Sequence, residues 1–420
     1  MSVKAMALQE AEEDRQVARH AVRGILTAAT KLHVSAPESL ADRAEKVAAV
    51  ATAHAAAVDS NSRFPREAID AARDARLLSI AVPADLGGEG ARLADIIDVC
   101  YRLGRNCAST AMIYAMHQTK VACVVRHGAT SAWHQRMLRR LCNEQLLLAS
   151  STTEGKAGGD VRNSAAPIER RGQRIALKRQ ATVISYGEAA DGIVTTARRA
   201  ADAASSDQVL VVFLKDDYTL TKLSGWDAFG MRGTCSEGFA LDASGSAEQI
   251  LPVGYDKIHA HTMLPVAHLV WSGAWAGIAA SAVERARAFV RKAHGGSGAM
   301  PPGAAHLTRA NANLRSLRNL INAALQRFEA AASDPAALEA IDFQTAMAMH
   351  KVSASELAVA TVTSAMQAAG IAGYRNDSEF SIGRQLRDIL SSPIMISNDR
   401  IMANVAAATL LGGTPASLRD

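Results

Sequence analysis

Aromatic residues make up only 4% of this 420-residue chain, while alanine recurs in nearly every stretch with a helical apolar period. Packing without large rings relies on small side chains and close contact between helices, which favours a mostly helical protein. Cysteine is also sparse: Cys100, Cys107, Cys123, Cys142 and Cys235 are scattered, odd in number and contain no C-x-x-C pair. That pattern indicates neither a disulfide framework nor a thiolate zinc site, and it fits a reducing, cytoplasmic compartment. No uninterrupted apolar run approaches the roughly 20 residues that a membrane-spanning helix needs. Residues 1–34 mix Glu10, Glu12, Glu13, Asp14, Arg15 and Arg19 without an apolar core, unlike a secretory signal. A long basic block is missing as well. The formal net charge of +5 sets 46 basic residues against 41 acidic ones, so nucleic acid is not an expected partner.

What is present is enough hydrophobic residue, 49% of the chain, to bury a large core. Apolar spacing is helical from about Pro37 to Cys142. Pro65 suits a first helical turn, and Ala68, Ala71, Ala75 and Leu78 mark one face before Pro83 and the Gly87-Gly88-Glu89-Gly90 turn. Further helices are expected around residues 92–104, 108–127 and 130–142. After Glu144 the texture becomes short, often β-branched runs at 145–152, 174–178, 181–186, 192–197, 208–214 and 238–242. From His261 the helical period returns and holds to Leu411, broken once by residues 294–305 with Pro301 and Pro302. The expected architecture is mainly α with a central β domain. An extension (1–34) precedes a helical domain (35–143), a β domain (144–257) and a helical bundle (258–420).

Three segments concentrate chemistry. Residues 151–160, Ser-Thr-Thr-Glu-Gly-Lys-Ala-Gly-Gly-Asp, follow a strand-like run with hydroxyls and bare backbone N–H groups that can meet ring carbonyls or phosphates. Residues 225–239 join two strands and hold Trp226, Phe229, Arg232 and Thr234, a mix suited to lining or closing a pocket. Gln367-Ala368-Ala369-Gly370-Ile371-Ala372-Gly373-Tyr374 ends one helix, Arg387-Asp388 lies in the next, and Ser397-Asn398-Asp399 opens the last.

Together these segments resemble the acyl-CoA dehydrogenase family. Residues 153–160 are similar to its T-E-P-x-A-G-S-D loop, Gly230-Met231-Arg232-Gly233-Thr234 to its G-x-R-x-S/T connection, and 367–374 with Arg387-Asp388 to its Q-x-x-G-G-x-G-Y and R-D segment. Phe64-Pro65-Arg66-Glu67, Val82-Pro83 with Leu86-Gly87-Gly88, and Leu103-Gly104 fit the first helical block, so the likeness spans roughly residues 37–412.

The resemblance implies a middle β-barrel, a C-terminal four-helix bundle, FAD between them, and a homodimer or homotetramer. Thr152, Thr153, Gly158 and Gly159 would approach the flavin or a thioester, and Ile184 and Ser185 would lie against the isoalloxazine. Gln367 and Gly370 would serve a partner subunit's pyrophosphate, and Asn398 stands where the family has a threonine.

The chain departs from the family at two places. Alignment through Arg387-Asp388 puts Ile396 where dehydrogenases carry the glutamate that removes the substrate's α-proton, and an isoleucine accepts no proton. The other familiar base position falls on Ala267, beside His268. The remaining candidates are Asp399, which also suits the start of a helix, and the histidines His268 and His117; the latter sits on a helix that borders the cavity in relatives. The R-x-x-F-G that grips the dinucleotide falls on Ala293, Gly296 and Ser297, with Lys292 or Arg309 as substitutes, so FMN from a separate flavin reductase is an alternative to FAD. His259-x-His261 lacks further ligands, and no metal is expected.

Three functions follow. The first is α,β-desaturation of an acyl thioester, passing electrons to an electron-transferring flavoprotein. The second is a flavin-dependent monooxygenase of the same fold, acting on a small molecule through a C4a-hydroperoxyflavin. The third is a catalytically silent acyl-CoA-binding paralogue.

Overall fold

A computed structural model describes residues 38–154, 161–411 and 417; Gly158, Gly159 and residues 1–34 lie outside the described residues. The first helical block contains α1 (Leu40–Ser60), α2 (Arg66–Asp74), α3 (Leu93–Gly104), α4 (Ala108–His127) and α5 (Ala132–Glu144). Pro65 immediately precedes α2, and Gly87, at φ 95°, ends the short turn after Pro83. The Ser131 side chain accepts the His134 N–H to start α5, and Gln145 in the left-handed region ends it.

Seven strands follow: β1 (Leu148–Ser151), β2 (Glu169–Arg171), β3 (Arg174–Ser185), β4 (Gly192–Arg198), β5 (Gln208–Leu214), β6 (Tyr218–Ser224) and β7 (Ser236–Ser246). The barrel that the resemblance implies consists of two sheets, one ordered β1-β4-β5 and one ordered β2-β3-β7-β6. Strand β1 runs parallel to β4, and the other pairs are antiparallel. A register shift between Ala181 and Ile184 interrupts the β3–β7 ladder. Strands β4 and β5 are buried along nearly their whole length, which explains their unbroken apolar runs.

The second helical block opens with α6 (Tyr255–Ile258), a π turn (His259–Met263) and α7 (Leu264–Ser297). It continues through α8 (Ala304–Ala331), α9 (Pro335–Glu339), α10 (Ile341–Tyr374), α11 (Gly383–Ile389) and α12 (Asn398–Leu411). The small-residue packing expected from composition is visible where α3 meets α7. A Cβ on Gly277 would stand 2.2 Å from the Tyr101 carbonyl oxygen, so only glycine lets the two backbones approach this closely.

Two helical stretches, 255–296 and Ile341–Tyr374, are long and apolar enough by length and composition to cross a membrane. This corrects the expectation drawn from uninterrupted runs, because apolarity averaged over a helix tolerates scattered polar residues. Within the fold the most apolar 18-residue window of the first stretch is almost wholly buried. All five cysteines are free, and four of them are buried.

Candidate active site

Where the two helical blocks meet the β block, a cavity of ≈ 640 Å³ opens. Strand β1 leads into it, so Ser150, Thr152 and Thr153 offer hydroxyls along one wall. The next wall comes from β3. Its side chains alternate inward and outward until the register shift resets the pattern. As a result Val183 and Ser185 face the cavity, while Ile184 is completely buried in the core. Val183 therefore stands at the cavity wall where Ile184 was expected.

Ser185 is tied into a hydroxyl chain. Its Oγ lies 2.8 Å from Ser236 Oγ, which lies 2.8 Å from Thr234 Oγ1, and that hydroxyl donates to the Met231 carbonyl over 2.8 Å. Residues 225–239, expected to line or close a pocket, instead clamp the blocks together. Met231 N–H donates to Asp388 Oδ1 over 2.7 Å, and Arg232 Nε donates to the Asp59 carbonyl over 2.8 Å. Arg387 completes the clamp with Asp59, its NH1 lying 3.1 Å from Oδ1. A Cβ on Gly230 would stand 2.1 Å from the Arg387 carbonyl oxygen, which accounts for a glycine there.

On the helical side, the π turn and the start of α7 present His259, Met263, Leu264, Ala267, His268 and Trp271. A π turn widens the local helix, a feature often found at functional sites. Helix α4 contributes Met116, Thr119 and Lys120, which share one face by their spacing. His117 points the other way. It is wholly buried, its Nε2–H donates to the Leu78 carbonyl over 2.7 Å, and its Nδ1 accepts the Leu148 N–H over 3.0 Å. Burial lowers its pKa to about 4, so it stays neutral. The catalytic expectation for His117 thus gives way to a cross-link between α4 and β1. His268 does line the cavity, yet its Nδ1–H is committed to the Met347 carbonyl over 2.9 Å, and burial pushes its pKa down to about 3.

The segment before α12, through Met395, Ile396 and Ser397, and the first turns of α12, through Arg400 and Ile401, form the remaining wall. Ile396 lies in the left-handed region at φ 51°, a rare place for a β-branched residue. Asp399 is exposed in the first turn of α12 and does not line the cavity, so it is no base for a ligand held there. Asn398 is buried outside the lining, bonded to Lys351 Nζ at 2.7 Å and to Ser355 Oγ at 3.0 Å. It supports the loop from behind the cavity wall, where the expected contact with a cofactor is not seen. Gln367 and Gly370 are exposed, away from the cavity, where Gly370 kinks α10 at φ 56°.

Among the described lining residues the one carboxylate is Glu339. It is bound to Lys257 Nζ at 2.6 Å and His261 Nε2 at 2.7 Å, which hold its pKa below the ordinary value. Lys120, Arg162 and Arg400 supply positive charge to the same walls. Lys120 escaped the sequence reading although it is a cation on a helix whose neighbours are mostly apolar, a signal the sequence does carry. No cluster of three or more potential metal ligands occurs among the described residues.

A helical block, a β block and a long helical block enclosing one cavity define the acyl-CoA dehydrogenase fold. Residues 36–145 match the acyl-CoA dehydrogenase N-terminal domain and residues 259–411 the C-terminal domain; the chain belongs to this family of flavin-dependent enzymes. It is 26% identical over 362 residues to a cyclohex-1-ene-1-carbonyl-CoA dehydrogenase of Syntrophus aciditrophicus, covering 84% of each chain. It is equally 26% identical to an L-evernosamine nitrososynthase of a Micromonospora species, over 82% of this chain and 83% of that one. The FMN-bound TdsC of Paenibacillus sp. A11-2 shares the fold, with a TM-score of 0.78 and 17% identity over 90% of this chain and 98% of that one.

Proposed function

We infer that this protein is a flavin-dependent monooxygenase, and that the carrying observation is the acid–base inventory of its cavity. Desaturation of an acyl thioester needs a free carboxylate beside the α-carbon. Ile396 occupies the position expected of that base, and Glu339, the one lining carboxylate among the described residues, is engaged by Lys257 and His261. Oxygen transfer from a reduced flavin has no such requirement.

The walls fit a flavin. Ser150, Thr152, Thr153 and Ser185 place hydroxyls beside the exposed, apolar Val183, a pairing suited to the polar edge and flat face of an isoalloxazine. Trp271 lines the same space with a buried indole N–H that lacks a partner. A bound reduced flavin would supply the two electrons needed to split dioxygen between product and water. The chain's part is to hold the ring, exclude water with Met116, Leu264 and Trp271, and position the substrate. FMN is the favoured form. Lys292, the nearest substitute for the family's phosphate-gripping arginine, faces Glu379 at 2.7 Å and the Phe380 ring at 5.3 Å. A separate flavin reductase would then be the electron partner.

The competing reading, acyl-thioester desaturation, is favoured by the similarity to the Syntrophus aciditrophicus dehydrogenase. One experiment separates the two. The purified protein, loaded with FMN or FAD, is titrated anaerobically with a panel of acyl-CoAs, then reduced chemically and mixed with oxygen. Unbleached flavin with every acyl-CoA, followed by a transient absorbance that free reduced flavin does not show, is the expected result. Bleaching by an acyl-CoA overturns it in favour of desaturation, and failure to retain either flavin returns the silent-paralogue reading.

A further inference from the structure

We propose that Lys120 selects substrates that pair an apolar body with one small oxyanion, a carboxylate or a sulfur or phosphorus oxyanion. This deepens the monooxygenase reading and rests on it for the cavity's role. Lys120 is only 4% exposed, yet it lines the cavity from α4. Its ammonium has three protons to donate and, among the described residues, one hydrogen-bond partner, Met263 Sδ at 2.9 Å. A thioether is a weak acceptor, so most of the donor capacity remains unused in the buried wall.

Among the described residues no carboxylate pairs with this charge. The lining carboxylate, Glu339, is already bonded to Lys257 and His261, and Arg162 and Arg400 line the same cavity. Burial lowers the Lys120 pKa only to about 8, which leaves the amine mostly protonated at neutral pH. On the same walls Met116, Met263, Leu264 and Trp271 offer apolar surface that fits a hydrocarbon or aromatic body. A methionine of similar length would suit this setting better, so the lysine is costly to stability unless a ligand answers its charge.

The test compares phenylacetate with phenylacetamide, which have nearly the same shape and differ in charge. Binding is measured by calorimetry on the full chain, flavin-free and FMN-loaded. Phenylacetate should bind roughly tenfold or more tighter, Lys120→Met should abolish that preference, and Lys120→Arg should retain it in part. Lys120→Met should also raise the ligand-free melting temperature, so loss of binding is not loss of fold. Equal affinities for the two probes, or a preference that survives Lys120→Met, would overturn the proposal. The oxyanion could instead be a cofactor's phosphate. If Lys120→Met weakens FMN binding but leaves riboflavin binding unchanged, the substrate assignment falls. Because no turnover is read, a phenylacetate preference beside acyl-CoA bleaching would sustain the Lys120 site and sink only the monooxygenase reading.

Discussion

The ammonium of Lys351 donates to the carbonyl oxygen of Ile396 over 2.7 Å, fixing the cavity residue whose φ is 51°. A second bond from the same nitrogen reaches Asn398 Oδ1 at 2.7 Å, so one buried cation holds both sides of Ser397. Left-handed backbone costs a β-branched residue roughly 1–2 kcal/mol, and glycine escapes that cost. Ile396 also packs, half-buried, against a small cluster of Ala348, Val352 and Ile401, a contact worth about 1–2 kcal/mol. The two effects nearly cancel, so Ile396→Gly should change stability by less than about 1 kcal/mol. Urea unfolding checks this; a loss like that of an ordinary apolar truncation would mean that the backbone strain is not relieved.

A buried ion pair ties the β block together. Arg179 Nε stands 3.5 Å from Glu154 Oε1, with side-chain exposures of 0% and 6%. Glu154 also accepts Ser164 Oγ and Ala165 N–H, each at 2.8 Å, so it fastens the chain just after β1 as well. Glu154→Gln preserves shape but strands the guanidinium without a counter-charge, and the expected cost is about 3–5 kcal/mol. Arg179→Met combined with Glu154→Gln should cost clearly less than the sum of the two single changes. A double-mutant cycle by denaturant unfolding reads the coupling, and additivity would show that the pair is not energetically linked.

Legibility in the sequence followed the range of the interaction. The helices near 92–104 and 108–127 and the strand at 208–214 declare themselves through local apolar periods, and they stand where expected. Strand β2 is Glu-Arg-Arg and wholly exposed, so no apolar signal announces it, and the exposed end of β6 hides that strand in the same way. At the cavity the difference between expectation and structure is rotational. A bulge exchanged Ile184 for Val183, and one helical step separated His117 from the face carrying Met116 and Lys120. The clamp from Arg387 to Asp59 spans 328 residues, a partnership that no local pattern encodes.

Asp388 makes one side of the pH behaviour testable. Burial raises its carboxyl from 3.8 to about 6, against the opposing Met231 N–H bond. The folded chain therefore holds this proton more tightly than the unfolded chain. Its stabilising contribution is complete below about pH 4 and is lost as pH rises through 6, roughly 3 kcal/mol in all. Asparagine can still accept from Met231 without taking a charge. The stability of Asp388→Asn relative to the parent should thus increase between pH 4 and pH 7, measured by urea unfolding at each pH. A constant difference would place the carboxyl's titration elsewhere.

His117 acts in the opposite direction over an overlapping range. Burial lowers its pKa from 6.5 to about 4, so the unfolded chain takes up this proton first. The stability it supports is present above pH 6.5 and is lost as pH falls through 4, again roughly 3 kcal/mol. Because Asp388 gains where His117 loses, the parent's profile between pH 4 and 6 conceals both, and only variants separate them. His117→Asn keeps an acceptor for the Leu148 N–H, while Gln118 Nε2 still donates to the Leu78 carbonyl at 3.3 Å. The variant should lose about 1–3 kcal/mol at pH 7.5 through packing and one hydrogen bond. That deficit should shrink on acidification, because the asparagine has no proton to take up. A deficit that stays constant down to pH 4.5 would show that His117 does not remain neutral in the folded chain.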